Sequence, residues 1–354
     1  MIRRLALGLL GLLAVWLAVP AVANAGRLLE YERIAATGLP DQRLTIWLPP
    51  GYDRGQRRYP VLYMHDGHNL FDPAKSNFNK VWAADKAMLA AMRTGRVEPH
   101  IIVGIWAPGA DRFRQYLPRS IHTPATGSLR AAMDAMTGGP VVSDAYLDWI
   151  AGPLKQWVDA SFRTRPGRND TAIVGSSMGG LMSCYAFLER PAVFGRAGCI
   201  SSHWPAADPR AVGEANPDLI ALWDQWFAAR LGQPDGRRLW LDHGTATLDA
   251  FYAPYQTAID ARIAAIHATG DVWAMGAALQ VALAQITLPR MSAEKSAEML
   301  AEIMAEASDV FRAAGADVVG GHTSIGSELT IGFTVTGVAA RAIAKAGARA
   351  GDVL

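Results

Sequence analysis

The chain has 354 residues, room for two domains of average size or one large one with additions. With 51% hydrophobic and 19% charged residues, a packed core is expected and wholesale disorder is excluded. The formal net charge is +2 and no long run of Lys or Arg occurs, which excludes nucleic acid as an expected partner.

Residues 1–25 have the layout of a secretory signal peptide. "MIRR" is a positive start, "LALGLLGLLAVWLAV" an apolar run, and "ANA" ending at Ala25 a small-x-small cleavage site. The run is nearly long enough to span a bilayer, so an uncleaved anchor is the other reading. Either way the following domain is expected outside the cytoplasm, periplasmic or secreted. No second stretch is apolar enough to span, so no stable membrane span is expected after cleavage.

The next elements alternate. "RLTIWLPP" (43–50), "YPVLYMHDG" (59–67) and "HIIVGIWAP" (100–108) read as strands. "DAYLDWIAGPLKQWVDASF" (144–162) has apolar residues at helical spacing. "TAIVGSS" (171–177) is a short apolar strand, and "MGGLMSCYAFLER" continues it as a helix. "AGCISSHWP" and "RRLWLDHG" are strands flanking the helical "DLIALWDQWFAARLG". Strands alternating with helices imply parallel pairing through crossover helices. Cys184 falls on a helix and Cys199 on a strand, both in apolar surroundings, and buried free thiols are expected rather than a pair.

After about Asp260 the pattern changes. "LQVALAQITLP" reads as a strand, and "SAEKSAEMLAEIMAEASDVFRAAG" as a helix with Leu300, Ile303, Met304, Ala307 and Phe311 on its apolar stripe. "SELTIGFTVTGVAA" alternates polar and apolar residues, which suits a half-exposed antiparallel strand.

"GSSMGG" (175–180) fits G-x-S-x-G with Ser177 at the centre. The pentapeptide alone is weak, but here a strand precedes it and a helix follows. A sharp strand-to-helix turn lifts the serine hydroxyl above the sheet. The flanking glycines permit close approach, and the helix N-terminus faces the developing negative charge. The bland alternative is a Ser/Gly helix cap without chemistry. The oxyanion donors expected by position are the backbone amides of Met178 and of His68, in "MHDGHN". The imidazoles of His65 and His68 need only pack or cap that loop. For the acid, "LDHGTATLDAFY" offers Asp242 and Asp249, and Asp249, beyond the strand end, is preferred.

"VLYMHDGHNLFD", "AIVGSSMGGLMSCYAF", "ISSHWP" and "LDHGTATLDAFYAPYQ" together resemble the esterase D and ferric-enterobactin-esterase-like branch of the α/β hydrolases, over about residues 28–260. The resemblance implies an ester or thioester hydrolase working through an acyl-enzyme on a small-molecule ester, without a cofactor. Ser177 is then the nucleophile, Asp249 the acid, and Met178 with His68 the oxyanion donors. The family's histidine belongs further along, on a Gly-x-x-His loop, and this sequence has none there. Only His267, inside a helical pattern, and His322 follow Asp249. Trp106, His203 and Trp204 stand near the pocket by position, and whether His203 approaches Ser177 is open in the sequence. Without a general base a serine hydroxyl is a poor nucleophile at neutral pH.

"RIAAIHATGDVWAMGA", "ALAQITLPRM", "GADVVGGHTSIGSELTIGFTVTG" and "KAGARAGDVL" are similar, in that order, to selenophosphate synthetase (selenide, water dikinase). That resemblance implies a Mg²⁺- and nucleotide-phosphate-binding role for Asp271 and a nucleotide-contacting loop at Gly320, Gly321 and His322. Mg²⁺ and ATP are expected only if this tail is functional. The family's N-terminal Gly-rich segment with its reactive Cys or Sec, and its second metal-binding half, are absent. A single aspartate does not organise a phosphoryl-transfer site, and Asp271 then reads as a solvated helix-end carboxylate.

The expected architecture is therefore α/β: a doubly wound, mostly parallel sheet of α/β-hydrolase type, followed by an incomplete α+β fragment of the selenophosphate synthetase N-terminal domain type. The divisions are a signal peptide (1–25), a hydrolase domain lacking its histidine loop (26–261), and a truncated tail (262–354) that can mediate self-association. The join is expected near Ile259–Ala265, where an Ala/Arg-rich helix suits either parent, and the product reads as an impaired esterase.

Overall fold

The computed structural model describes residues 25–213, 215–232, 235–244, 246–274 and 277–338, without the side chains of 78, 267 and 270–274. The expected signal peptide, Ala25 apart, lies outside the described residues.

Seven strands form the main sheet: β1 (Arg27–Ile34), β2 (Gln42–Leu48), β3 (Val61–Met64), β4 (Ile101–Ile105), β5 (Thr171–Ser177), β6 (Arg196–Ser202) and β7 (Arg238–Asp242). Their order is β1-β2-β4-β3-β5-β6-β7. From β4 to β7 every pairing is parallel, whereas β1–β2 and β2–β4 are antiparallel. The sheet is thus mostly parallel with an antiparallel margin.

Helices fill the connections: α1 (Ala84–Arg93), α2 (Arg112–Tyr116), α3 (Arg119–His122), α4 (Gly127–Thr137), α5 (Ser143–Trp149), α6 (Lys155–Ser161), α7 (Met178–Glu189), α8 (Pro209–Val212) and α9 (Pro217–Arg230). The expected helix over 144–162 forms as α5 and α6 with a widened turn around Pro153, which cannot supply an amide to the ladder. The two sheet faces bury separate clusters. Ile46, Tyr63, Val103, Ile173 and Cys199 join one, while Trp47, Met64, Leu70 and Ile102 form the other. Alternation along each strand sends neighbours to opposite faces, and both faces are covered.

Strand β1 is absent from the sequence-based reading. Only intermittent positions of RLLEYERI are half-buried, and Arg43 of β2 pairs with both Glu30 and Glu32 to fix this edge.

The expectation of free thiols is overturned. Cys184 and Cys199 form a disulfide, with Cα atoms 5.8 Å apart. Crossover helix α7 packs directly on β6, and that tertiary adjacency is invisible in the separation of 15 residues.

A second sheet follows, ordered β10-β8-β9, from β8 (Ala278–Pro289), β9 (Asp317–Gly326) and β10 (Thr330–Val338). β8 pairs antiparallel with β10 and parallel with β9. α11 (Ala293–Ala313) packs on it through Ile303, Ala307, Val310 and Phe311, close to the predicted stripe, with Leu300 and Met304 at its margin.

One helix, α10 (Ala253–Ala274), serves both regions. Tyr255 and Ile259 belong to the first core, whereas Ala261 and Ala265 belong to the clusters under the second sheet. Ile263 packs against the first core again, so the two cores interleave along this helix. Arg262 ties the two sides, pairing with Asp224 of α9 and with Glu306 of α11. No helix among the described residues is long and apolar enough to cross a membrane.

Candidate active site

Strand β5 ends at Ser177, whose backbone has φ 57° and ψ −124°. A non-glycine residue held there costs about 1–3 kcal/mol and persists only when its surroundings enforce it. The glycines are part of that enforcement. A Cβ on Gly175 would lie 2.5 Å from the Gly179 carbonyl oxygen, and one on Gly180 would lie 2.6 Å from Ser202 Oγ. The chain can turn from β5 into α7, and α7 can settle on β6, only with glycine at both positions. Ser177 occupies the N-cap of α7, so the first amides of that helix, beginning with Met178, point toward its side chain.

The turn Gly67–Asn69, with His68 at its centre, faces the same place. A Cβ on Gly179 would meet His65 Cβ at 3.1 Å and Asp66 Oδ2 at 3.3 Å, so the 65–69 segment sits against the first turn of α7. Gly67 is itself pressed on β4, where a Cβ would come within 2.6 Å of the Gly104 carbonyl carbon. Met178 and His68, the two predicted oxyanion donors, therefore stand on adjoining segments. Asp66 has φ 55°, and Arg112 donates to its two oxygens at 2.7 and 2.8 Å. This bidentate pair anchors the turn, and the sequence offered no signal for it.

The imidazoles near the turn are occupied. His65 is buried beside Tyr146, with Nδ1 3.1 Å from the phenol oxygen, and burial lowers its pKa to about 4. The His68 ring lies 3.2 Å from the Asn77 amide nitrogen and against Trp106. Among the described residues no imidazole hydrogen-bonds Ser177. The ring next in line is His203: its backbone amide donates to the Ser177 carbonyl at 3.1 Å, and its Nδ1 lies 2.8 Å from the Tyr252 hydroxyl. Trp204 does not line a pocket, as its position had suggested. It is fully buried and donates to Gln256 at 2.8 Å.

The two acid candidates separate cleanly. Asp242 accepts from the Ser201 amide and from Trp240 Nε1, both at 3.1 Å. Asp249 lies in the turn Thr247–Phe251, accepts from the Gly244 amide at 2.9 Å, and is close enough to act on Tyr252 and His203. Burial foremost, and then the Asp249 charge, pushes the Tyr252 hydroxyl up to about 12. Burial lowers the pKa of His203, which keeps it neutral.

Gly320, Gly321 and His322 lie in β9, an exposed edge strand, and not in the expected loop. A Cβ on Gly321 would fall 2.2 Å from the Ala284 carbonyl oxygen, so glycine is required there for strand approach. This segment does not fit a nucleotide-phosphate cradle, and no group of three or more potential metal ligands occurs among the described residues. The side chains of Asp271 and His267, both in α10, lie outside the described residues.

A mostly parallel sheet that lifts a serine on a strained strand-to-helix turn is the architecture of α/β hydrolases. Residues 40–272 match the Esterase family model, and the chain belongs to that family. Residues 241–339 match the model of the AIR synthase related protein, N-terminal domain. The two matches overlap over residues 241–272, from the end of β7 through most of α10. The chain is 26% identical over 200 residues to the uncharacterized protein YbbA of Bacillus subtilis, covering 56% of this chain and 70% of that protein. It is 41% identical over 95 residues to the selenide, water dikinase of Geobacter sp. strain M21, covering 26% of this chain and 27% of that enzyme. The chain thus spans between 27% and 40% of the dikinases that it matches. Among solved structures, a siderophore hydrolase from Aspergillus nidulans aligns at 12% identity and a TM-score of 0.43, covering 91% of this chain and 92% of that one.

Proposed function

We propose that the chain is a serine carboxylic-ester hydrolase acting through an acyl-enzyme on a small-molecule ester, with slow turnover. Ser177 is the nucleophile, the amides of Met178 and His68 receive the oxyanion, and Asp249 is the acid. The observation that carries this reading is the backbone of Ser177, held in a strained conformation at the N-terminus of α7 by glycines on both sides. Turnover is slow because no imidazole among the described residues hydrogen-bonds Ser177, and losing one member of such a constellation costs about 10³–10⁴-fold or more. The tail beyond about residue 262 belongs to a second parent joined along α10, and it contributes no phosphoryl transfer. The leader and the disulfide support export to the periplasm or beyond.

The test is hydrolysis of p-nitrophenyl acetate. The expected kcat/KM is at least about a hundredfold below that of an intact family member, and Ser177→Ala abolishes it. Turnover within tenfold of the intact member would overturn the impairment. Turnover that survives Ser177→Ala would overturn the nucleophile.

A further inference from the structure

We propose that Tyr252 and His203 form a proton relay for Ser177, taking the place of a directly bonded histidine; this rests on Ser177 being the nucleophile. The donor directions carry the argument. His203 Nε2 is 2.8 Å from the Ala207 carbonyl oxygen, which can only accept, so Nε2 bears the proton. In the neutral ring Nδ1 then accepts, and its partner at 2.8 Å is the Tyr252 hydroxyl, which therefore donates. The Tyr252 oxygen retains its lone pairs, and the His203 amide donates to the Ser177 carbonyl at 3.1 Å, which brings the ring and its phenol partner alongside the serine. The chain runs one way, from serine through phenol to imidazole. Tyr252 and His203 are both buried, which shields the path from bulk water.

The step balances without a further reactant. Ser177 Oγ bonds to the ester carbonyl carbon while its proton passes to the Tyr252 oxygen and the Tyr252 proton passes to His203 Nδ1. The carbonyl electron pair moves onto oxygen, facing the Met178 and His68 amides. When the tetrahedral species collapses, the C–O bond to the alcohol breaks. The leaving oxygen takes a proton from Tyr252, which recovers its own from His203. Water repeats the sequence to release the acid. A phenol whose proton is held as tightly as that of Tyr252 is no base on its own, so both protons must move together. The imidazolium formed in between keeps its bond to Ala207 and feels the favourable charges of Asp208 and Asp249. The Arg112 charge opposes it, and Asp66 offsets that charge. In this relay Tyr252 takes the proton of the reacting hydroxyl and is the catalytic residue. His203 acts through it and is a positioning residue.

Single-turnover acylation by p-nitrophenyl acetate, measured on the full chain, tests the relay. Tyr252→Phe and His203→Gln should each lower the acylation rate at least about tenfold, with KM changed less than about twofold. The double variant should be no slower than the slower single one, since the two act as a unit. In mixtures of light and heavy water the unaltered chain should show a bowed dependence on deuterium fraction, the mark of two protons in flight. A linear dependence, which requires no variant, would overturn the relay. So would Tyr252→Phe acylating at the unaltered rate while Ser177→Ala does not acylate, and in that case the nucleophile stands. Acylation unchanged in Ser177→Ala would overturn both.

Discussion

The esterase body and the tail solve the same packing problem to different extents. The body covers both faces of a seven-stranded sheet, and the seat of Ser177 is built from contacts that tolerate no added atom. The tail covers one face of a three-stranded sheet with α10 and α11 and leaves Val319, Ile325 and Val338 more than half exposed. In the body, Ser177 is held from several directions at once. Arg262 bridges Asp224 in the body and Glu306 in the tail.

The strongest test of this contrast is the Cys184–Cys199 bridge. Closing a loop of 15 residues stabilises by about 3 kcal/mol. Cys184→Ala with Cys199→Ala should lower the urea midpoint of the body accordingly and leave the tail transition in place. A common shift of both transitions would show that the regions unfold as one. Next, Gly321→Val should push β9 off β8 and weaken the tail by about 1–3 kcal/mol, with ester turnover unchanged. Loss of turnover would mean that the tail supports the site.

A smaller effect separates the regions by pH. Burial, aided by Glu306, raises the Glu302 carboxyl to about 7. The folded tail therefore holds that proton more tightly than the unfolded chain does. Its contribution is fully present below the ordinary value of 4.5 and is lost as pH rises through about 7. The tail midpoint in urea should fall between pH 5 and pH 8, and Glu302→Gln should flatten that dependence. Last, titrating Mg²⁺–ATP onto the full chain should give no heat of binding, because Gly320–His322 are engaged in a strand. A saturable heat would restore the nucleotide site.

The parts legible in the sequence were those set by local pattern. Apolar patterning marked β2 to β8 and β10, and the G-x-S-x-G context marked the elbow, since its glycines answer a local steric need. Tertiary features were hidden. β1 carries Glu30, Glu32 and Arg33 on an exposed edge and lacks a buried face to betray it. The glycines of β9 looked like a loop because close strand approach and phosphate approach both demand the absence of a Cβ. Nothing in the sequence marked Tyr252; its place beside His203, 49 residues away in the chain, is set by the turn before α10.

The central claim is that the chemistry resides at Ser177 in the body. The full chain can be treated with a fluorophosphonate, digested, and its adduct located by mass spectrometry. The account predicts a single slow adduct on the peptide carrying Ser177, absent in Ser177→Ala. An adduct on another residue, or none after prolonged exposure, would contradict it.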